Sequence, residues 1–231
     1  MKDVWHLRNI DWLNELSPEE LSRIQNGSEP QRYQAGSIVF EPAPKPHSVF
    51  LLESGRIRIY RISETGLETS FGYVSPGGIF GELSAFGDYP RESFARAVED
   101  ALVHEFERHA FRELLGQRPE MAIAITKQVG ERLKRIESRL ENLVFRDVRT
   151  RVALILLELA EDMGRQEGEQ LVLETRLTQA ELATLVGSTR QSVNACLRDL
   201  TVDGVIGRAG HHLAILKPLE LRESIRSAPR H

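Results

Sequence analysis

Cysteine is almost absent from this chain. Cys196 stands alone in 231 residues, which excludes an intramolecular disulfide and an iron–sulfur cluster held by one chain, since that needs several thiolates. No apolar run is long enough to span a bilayer, and the opening Met-Lys-Asp-Val-Trp-His lacks the apolar core of a signal peptide. The expectation is therefore a cytoplasmic protein with no membrane partner. The sequence also lacks a Gly-rich phosphate loop, a metal-ligand cluster and a nucleophile constellation, so no enzyme activity, cofactor or metal is expected. Nor is there an excess of positive charge. Lys and Arg number 30 against 34 Asp and Glu, a net charge of −4, so any affinity for nucleic acid must come from a local basic surface.

What is present is concentrated between Leu177 and Leu200. Thr178 and Glu181 have the spacing of a capping box at the start of a short helix. Leu182, Leu185 and Val186 give that helix one apolar face, and Gly187 allows a sharp turn. A second helix starts near Ser188 or Thr189 and buries Val193, Leu197 and Leu200. Its other face carries Thr189, Arg190, Gln191 and Asn194. This is the pattern of a helix-turn-helix whose second helix presents polar residues where a recognition helix meets base edges. An ordinary helical hairpin in a bundle has the same apolar spacing, and both readings stand at this point.

The first half of the chain is strand-like and punctuated by glycine. Short β-rich runs are expected at Ser37–Glu41, Ser48–Glu53, Arg56–Ile62, Leu67–Val74, Ser93–Val98 and Leu102–Glu107, with turns at Ser54-Gly55, Glu64-Thr65-Gly66 and Ser75-Pro76-Gly77-Gly78. Such a series suggests a small antiparallel barrel or sandwich. A short helix follows at Ala110–Leu115. Pro119 then opens a long helix reaching about Phe145, because its fixed φ suits the first helical position. Along it Val129, Leu133, Ile136, Leu140 and Leu143 alternate in steps of four and three, an a/d seam. Arg132, Lys134, Arg135, Glu137, Arg139 and Glu141 form its polar surface. The seam fits a homodimer interface; it also fits a helix packed on its own domain, since it covers only about two heptads. Beyond it the sequence predicts an amphipathic helix at Arg151–Met163 with Val152, Ile155, Leu156 and Leu159 inward, a polar loop at Gly164–Gln170, a short strand at Leu171–Leu173, and a β-hairpin wing of Val205–Ala209 and Leu213–Leu216 around Gly210-His211-His212. Ser227–His231 reads as a loose tail.

Three segments resemble the cAMP-receptor-protein (Crp/Fnr) family of bacterial transcription regulators. Phe80-Gly81-Glu82-Leu83, followed by Tyr89-Pro90-Arg91-Glu92-Ser93-Phe94-Ala95-Arg96-Ala97, is similar to the phosphate-binding cassette of cyclic-nucleotide domains. Asn142-Leu143-Val144-Phe145-Arg146-Asp147-Val148 resembles the hinge that joins the dimer helix to the DNA domain. Gly187-Ser188-Thr189-Arg190-Gln191-Ser192-Val193 resembles the recognition helix. The resemblance implies an α+β chain with an N-terminal cyclic-nucleotide-binding-like β-roll effector domain at 1–117, a dimerisation helix and hinge at 118–146, and a C-terminal winged helix-turn-helix at 147–231. It also implies a homodimer that reads palindromic double-stranded DNA, a small-molecule effector and RNA polymerase as partner. A β-roll alone also suits the regulatory module of a kinase or channel; the helix-turn-helix and wing argue against that.

The effector pocket departs from the family pattern. Gly81, Glu82 and Arg91 stand at matching positions, where Arg91 supplies a fork of donors to a phosphate and Glu82 accepts from a ribose hydroxyl. The family's cAMP binders place Ser or Thr after the arginine; this chain has Glu92, whose charge repels a phosphodiester, and Ser93 comes one residue too late. Ile136 and Glu137 replace the Thr and Ser that meet adenine in cAMP-responsive members. Two outcomes remain open: a regulator that does not use the usual cAMP contacts, with another effector or none, or a cyclic-nucleotide-activated regulator with a rearranged phosphate site. An ion pair between Glu82 and Arg91 inside the roll is a purely structural alternative for those residues. His47, His104 and His109 have no spacing that singles out a haem ligand. Cys196 reads as a small core residue, with a redox role as the alternative.

On DNA, the resemblance implies base contacts from Arg190, Gln191 and Asn194. Arg190 suits guanine O6 and N7, and Gln191 suits adenine where relatives carry Glu. Ala195 stands where many relatives place a third reading arginine, so the half-site is expected to keep one guanine and depart from a TGTGA-like sequence nearby. Thr178, Gln179, Thr189, Ser192 and wing residue Arg208 are phosphate-contact candidates, with helix capping as the alternative for Thr178.

Overall fold

The computed structural model describes residues 30–66, 68–174 and 178–228. The amino-terminal stretch read for a leader, Leu67, Leu177 and the end of the expected tail at 229–231 lie outside the described residues. The first part of the chain forms β1 (Gln31–Tyr33), β2 (Ile38–Phe40), β3 (Ser48–Ser54), β4 (Ile57–Ile62), β5 (Glu68–Val74), β6 (Ile79–Phe80), a one-turn α1 (Leu83–Phe86), β7 (Phe94–Ala97) and β8 (Ala101–Glu107). Helices α2 (Arg108–Gln117), α3 (Pro119–Phe145) and α4 (Val148–Met163) follow. The last part comprises β9 (Gly164–Glu167), β10 (Gln170–Leu173), α5 (Gln179–Val186), α6 (Arg190–Val202), β11 (Ile206–Ala209), β12 (His212–Ile215) and α7 (Pro218–Ser227). These elements group into two compact units. One holds residues up to Arg61 and Gly72–Leu133; the other holds Ile62–Phe71 and residues from Lys134 on. Helix α3 runs unbroken through the boundary and through Gly130.

The first unit is the expected β-roll, with sheets ordered β1-β8-β3-β6 and β2-β7-β4-β5. Successive strand residues face opposite ways, and β3 uses both faces. Phe50 and Leu52 join Phe40, Ile57, Val74, Phe80, Ala95 and Val103 between the sheets. Val49 and Leu51 turn the other way, onto Phe111, Leu114, Met121 and Ile125 of α2 and α3. Phe40, Phe50 and Phe80 meet with ring centroids 5.3, 5.8 and 5.4 Å apart. Fully burying such side chains is worth roughly 1.5–3 kcal/mol each, which is what holds the short strands in place. β1 carries no strand pattern of its own; its Gln-Arg-Tyr pairs antiparallel with β8.

In the second unit Val152, Ile155, Leu156 and Leu159 of α4 are buried as their spacing predicts. Two acidic residues of α4 receive arginines from α3. Arg139 binds Glu158 at 2.7 Å and Arg135 binds Asp162 at 2.7 Å, so this part of the polar face of α3 is joined to a neighbouring helix. The expected wing is β11 and β12, part of a sheet ordered β11-β12-β10-β9. Gly164–Gln170 is not the polar loop its composition suggests. It forms β9, the turn at Gly168 and the first residue of β10, with Gln170 opposite Glu167 and Leu173 opposite Gly164. β10 is anchored to β12 through Leu171↔Ile215 and Val172↔Ala214, so β9 needs only to add an exposed edge, for which polar side chains suffice. The expected tail is preceded by α7, opened by Pro218 and docked through the buried Leu221. Among the described residues no helix is long and apolar enough to cross a membrane.

Candidate nucleic-acid interface and effector pocket

The helix-turn-helix is built by local rules. Thr178 caps α5, its hydroxyl accepting from the Glu181 N–H at 3.1 Å, while the Glu181 carboxylate accepts from the Thr178 N–H at 2.8 Å. Gly187 ends α5 at φ +67°, a left-handed conformation that suits glycine. A Cβ built there would lie 2.6 Å from Leu143. Thr189 caps α6 by accepting from the Ser192 N–H at 3.1 Å. Val193 and Leu200 are fully buried, Leu197 and Cys196 half-buried, and Arg190 and Gln191 at the start of α6 are exposed. Arg190 and Gln191 make no side-chain hydrogen bond to the described residues, leaving their donors and acceptors open.

The phosphate candidates differ in how far they are already engaged. The Thr178 hydroxyl has one proton, directed at Glu181 at 2.8 Å. Thr189 and Ser192 share a hydroxyl–hydroxyl bond of 2.9 Å, so of their two protons one stays within the pair. Gln179 is exposed and accepts at Oε1 from Asn194 Nδ2 at 2.8 Å. Arg208 lies on β11 opposite Leu213, exposed and without an ion pair among the described residues. At the wing turn His211 is exposed and His212 half-buried. No group of three or more His, Cys, Asp or Glu among the described residues is placed to hold a metal ion.

One hub in this unit has no signature in the sequence pattern. The Arg151 guanidinium donates to three backbone carbonyls: Arg146 at 2.9 Å, Val186 at 3.1 Å and Gly187 at 3.3 Å. It thereby ties the hinge after α3 to the turn between α5 and α6. Asp147 opens α4 by accepting from the Thr150 N–H at 2.7 Å.

In the first unit the pocket candidates Gly81, Glu82, Arg91, Glu92 and Ser93 lie around β6, α1 and the start of β7. Arg91 donates from Nη2 to the Ser48 carbonyl at 2.6 Å. Its guanidinium lies over Phe40 at 4.1 Å and near Phe50 at 5.3 Å, a cation–π contact with two neighbouring rings. Burial lowers the Arg91 pKa, with Glu105 and Glu82 acting in the opposite direction. Gly81, at φ +70°, leaves the space beside Arg91 Nη2, which a Cβ would approach to 2.9 Å. Glu82 is not paired with Arg91. Only 9% exposed, it takes Arg132 of α3 at 3.2 Å, and Arg132 also donates to the Ile79 carbonyl. Glu92, exposed, binds Arg61 at 2.5 Å, and Ser93 is half-buried. Ile136 and Glu137, the remaining pocket candidates, lie on the part of α3 that belongs to the second unit.

Two α3 residues overlooked in the sequence grip β6 from one helix face. Gln128 accepts from the Ile79 N–H and donates to the Gly77 carbonyl, both at 3.1 Å. Arg132 follows one turn later. Their i, i+4 spacing was the available signal. Along the seam Val129 packs on the core of its own unit. Leu133 at 56% and Leu140 at 58% exposure, with Ile136 and the partly covered Leu143, continue the apolar stripe along the helix.

Two family models match the chain. A cyclic nucleotide-binding domain covers residues 30–118, and a Crp-like helix-turn-helix domain covers 150–224. A CRP-like cAMP-activated global transcriptional regulator of Mycobacterium tuberculosis is 32% identical over 200 residues, 87% of this chain and 89% of that protein. A solved transcriptional regulator of the CRP/FNR family from Thermus thermophilus superposes with a TM-score of 0.72 at 27% identity, covering 87% of this chain and all of the other. A CooA mutant from Carboxydothermus hydrogenoformans superposes with a TM-score of 0.75 at 26% identity, covering 94% of each chain.

Proposed function

This chain belongs to the Crp/Fnr family of transcription regulators and is not an enzyme, and from that premise we propose that it acts in the cytoplasm as a homodimer binding a palindromic DNA site. The observation that carries this reading is the exposed pair Arg190 and Gln191 at the N-terminal end of α6, both open for base edges. Arg208, Gln179 and the Thr189–Ser192 pair supply backbone contacts. Leu133, Ile136, Leu140 and Leu143 meet a second copy, because a contiguous apolar stripe of this kind marks an interaction site. Residues 1–117 form the effector domain, 118–146 the dimerisation helix and hinge, and 147–231 the DNA-binding domain. RNA polymerase is the further protein partner.

In this reading the effector domain does not respond to cAMP through the family's usual contacts. Arg91 is folded onto Ser48, Phe40 and Phe50, Glu82 is engaged by Arg132, and Glu92 brings a negative charge where a phosphate donor is needed. Control then rests on another small molecule or on protein abundance. A second reading, cyclic-nucleotide activation with a rearranged phosphate site, draws on Gly81, Glu82 and Arg91 and on the cAMP-activated relative.

Selection of sites from a random duplex pool tests the proposal, with the purified protein alone and, in parallel, with cAMP. The expected result is a palindrome recovered without ligand, its half-site centres about 34–36 Å apart. Recovery only with cAMP establishes the second reading. No enrichment in either arm overturns DNA recognition by α6.

A further inference from the structure

We propose that Asn194 is a positioning residue. It turns the Gln179 side-chain amide so that its NH2 end faces a DNA backbone phosphate, and it does not itself read a base. The inference rests on α6 being the recognition helix, as proposed above.

Asn194 lies one helical turn after Arg190, on the same face of α6. That placement suggests a bidentate contact with adenine, which requires a carbonyl oxygen to accept from N6 and an amide proton to donate to N7. The structure closes both ends of this contact. Asn194 Nδ2 donates to Gln179 Oε1 at 2.8 Å. Asn194 Oδ1 is buried and finds no hydrogen-bond partner among the described residues. An amide whose oxygen faces inward and whose nitrogen is bonded to a neighbour has no acceptor to present to a base.

The same bond gives Gln179 a direction. Gln179 is the first residue of α5, exposed, on a helix start already fixed by the Thr178–Glu181 capping box. A phosphate oxygen only accepts hydrogen bonds, so a glutamine is useful there only with its NH2 outward. A free side-chain amide rotates about its last torsion and presents either end. Because Asn194 donates to Oε1, the oxygen end is held against α6. Nε2 keeps both protons and makes no hydrogen bond to the described residues. Asn194 therefore sets which end of Gln179 meets the solvent side, and it links the backbone-contacting helix to the base-reading one.

Coupling measured on the full chain tests this. DNA binding to the selected site and to scrambled duplex is compared for wild type, Asn194→Ala, Gln179→Ala and the double variant. Asn194→Ala is measured again in a Gln179→Lys background, where the ammonium donates in any rotamer. Each single alanine variant is expected to weaken binding about threefold to tenfold, the size of one hydrogen bond, equally on both duplexes and with the selected consensus unchanged. The slope of log affinity against log salt stays the same, because a neutral amide displaces no counterion. The double variant is no weaker than Gln179→Ala alone, and Asn194→Ala has no effect beside Gln179→Lys. A purely structural asparagine would cost the same in every background. Gln179 is exposed, so its variants fold and report the coupling even where Asn194→Ala lowers the melting temperature. A changed base preference for Asn194→Ala, or an effect that persists in both Gln179 backgrounds, overturns the inference while leaving DNA recognition intact. A wild type that selects no site overturns that recognition and this inference with it.

Discussion

Leu143 of α3 packs against Gly187, the turn of the helix-turn-helix, so closely that a Cβ on Gly187 would stand 2.6 Å from Leu143 Cδ2. The end of the long helix therefore meets the backbone that joins α5 to α6. Arg151 reinforces the same junction from the other side, with its donors on Arg146, Val186 and Gly187. A change at the end of α3 thus reaches the recognition helix through packed atoms and three hydrogen bonds. Leu143 has two roles: its spacing places it on the seam, and its contact fixes the turn.

Gly187→Ala tests that junction. A residue with a Cβ in the left-handed region costs roughly 1–2 kcal/mol, and here Leu143 must also give way. The variant is expected to be destabilised by at least that amount in urea unfolding, and Leu143→Ala should recover the steric part in a double-mutant cycle. Additive effects would show that the two residues do not meet in solution.

Arg190→Ala addresses base reading. Arg190 carries no ion pair among the described residues, so its removal leaves no buried partner behind. Affinity for the selected site should fall by about 1–3 kcal/mol, with preference lost at one guanine. An unchanged consensus from a repeated selection would refute the assignment.

The helix-turn-helix was legible in the sequence because its determinants are local. The Thr178–Glu181 box, Gly187 and the Val193/Leu200 spacing all lie within one short stretch, and each did in the structure what its spacing predicts. The roll was legible as strands and turns, except β1, β6 and the one-turn α1, which are two to four residues long and too short to leave a periodic pattern. β9 was hidden for a different reason. Gly-Arg-Gln-Glu has no strand signature and becomes a strand only because β10 offers it an edge. Least legible were the arginines of α3. Arg132, Arg135 and Arg139 look like solvated surface in a helical pattern, yet each binds a carboxylate far away in sequence: Glu82, Asp162 and Glu158. Long-range pairing of charges leaves no periodic trace, and the same is true of Asn194 with Gln179.

Leu140→Glu probes the seam. Leu140 is 58% exposed in the single chain, so a glutamate there is tolerated by the monomer, whereas two copies facing each other across a dimer bury like charges. Sedimentation should show a dimer for wild type and a monomer for the variant at the same concentration, with DNA affinity falling alongside. A variant that stays dimeric places the interface elsewhere.

Cys196 offers a test by pH. Burial raises its thiol pKa, and the charge of Asp199 adds to the rise while Arg149 opposes it. A raised pKa means less thiolate at any given pH, and the thiolate is the reactive form. Alkylation by iodoacetamide near neutral pH should be slower than for a small free thiol, with the rate rising only above the ordinary thiol range. Rapid modification at neutral pH would revive a redox role for this residue.

Glu92 stands at the candidate effector pocket with its charge already engaged. Its carboxylate binds Arg61 at 2.5 Å on an exposed edge, directly after the arginine that a cyclic phosphodiester would need. Arg91 meanwhile lies over Phe40 and donates to Ser48, so a nucleotide must both draw it out and tolerate a like charge next to it. Calorimetric titration of wild type with cAMP is therefore expected to show no saturation below about 1 mM, the affinity of roughly −4 kcal/mol that a few weak contacts provide. Glu92→Ser removes the charge and supplies a hydroxyl donor, and it should tighten cAMP binding tenfold or more, about 1.4 kcal/mol per tenfold. Arg61→Ala serves as the opposite control, since it frees the Glu92 charge and should weaken binding further. Saturation of wild type at submillimolar cAMP would sink the argument from Glu92. It would also mean that the pocket reorganises around the nucleotide, with Arg91 leaving its aromatic neighbours to meet the phosphate.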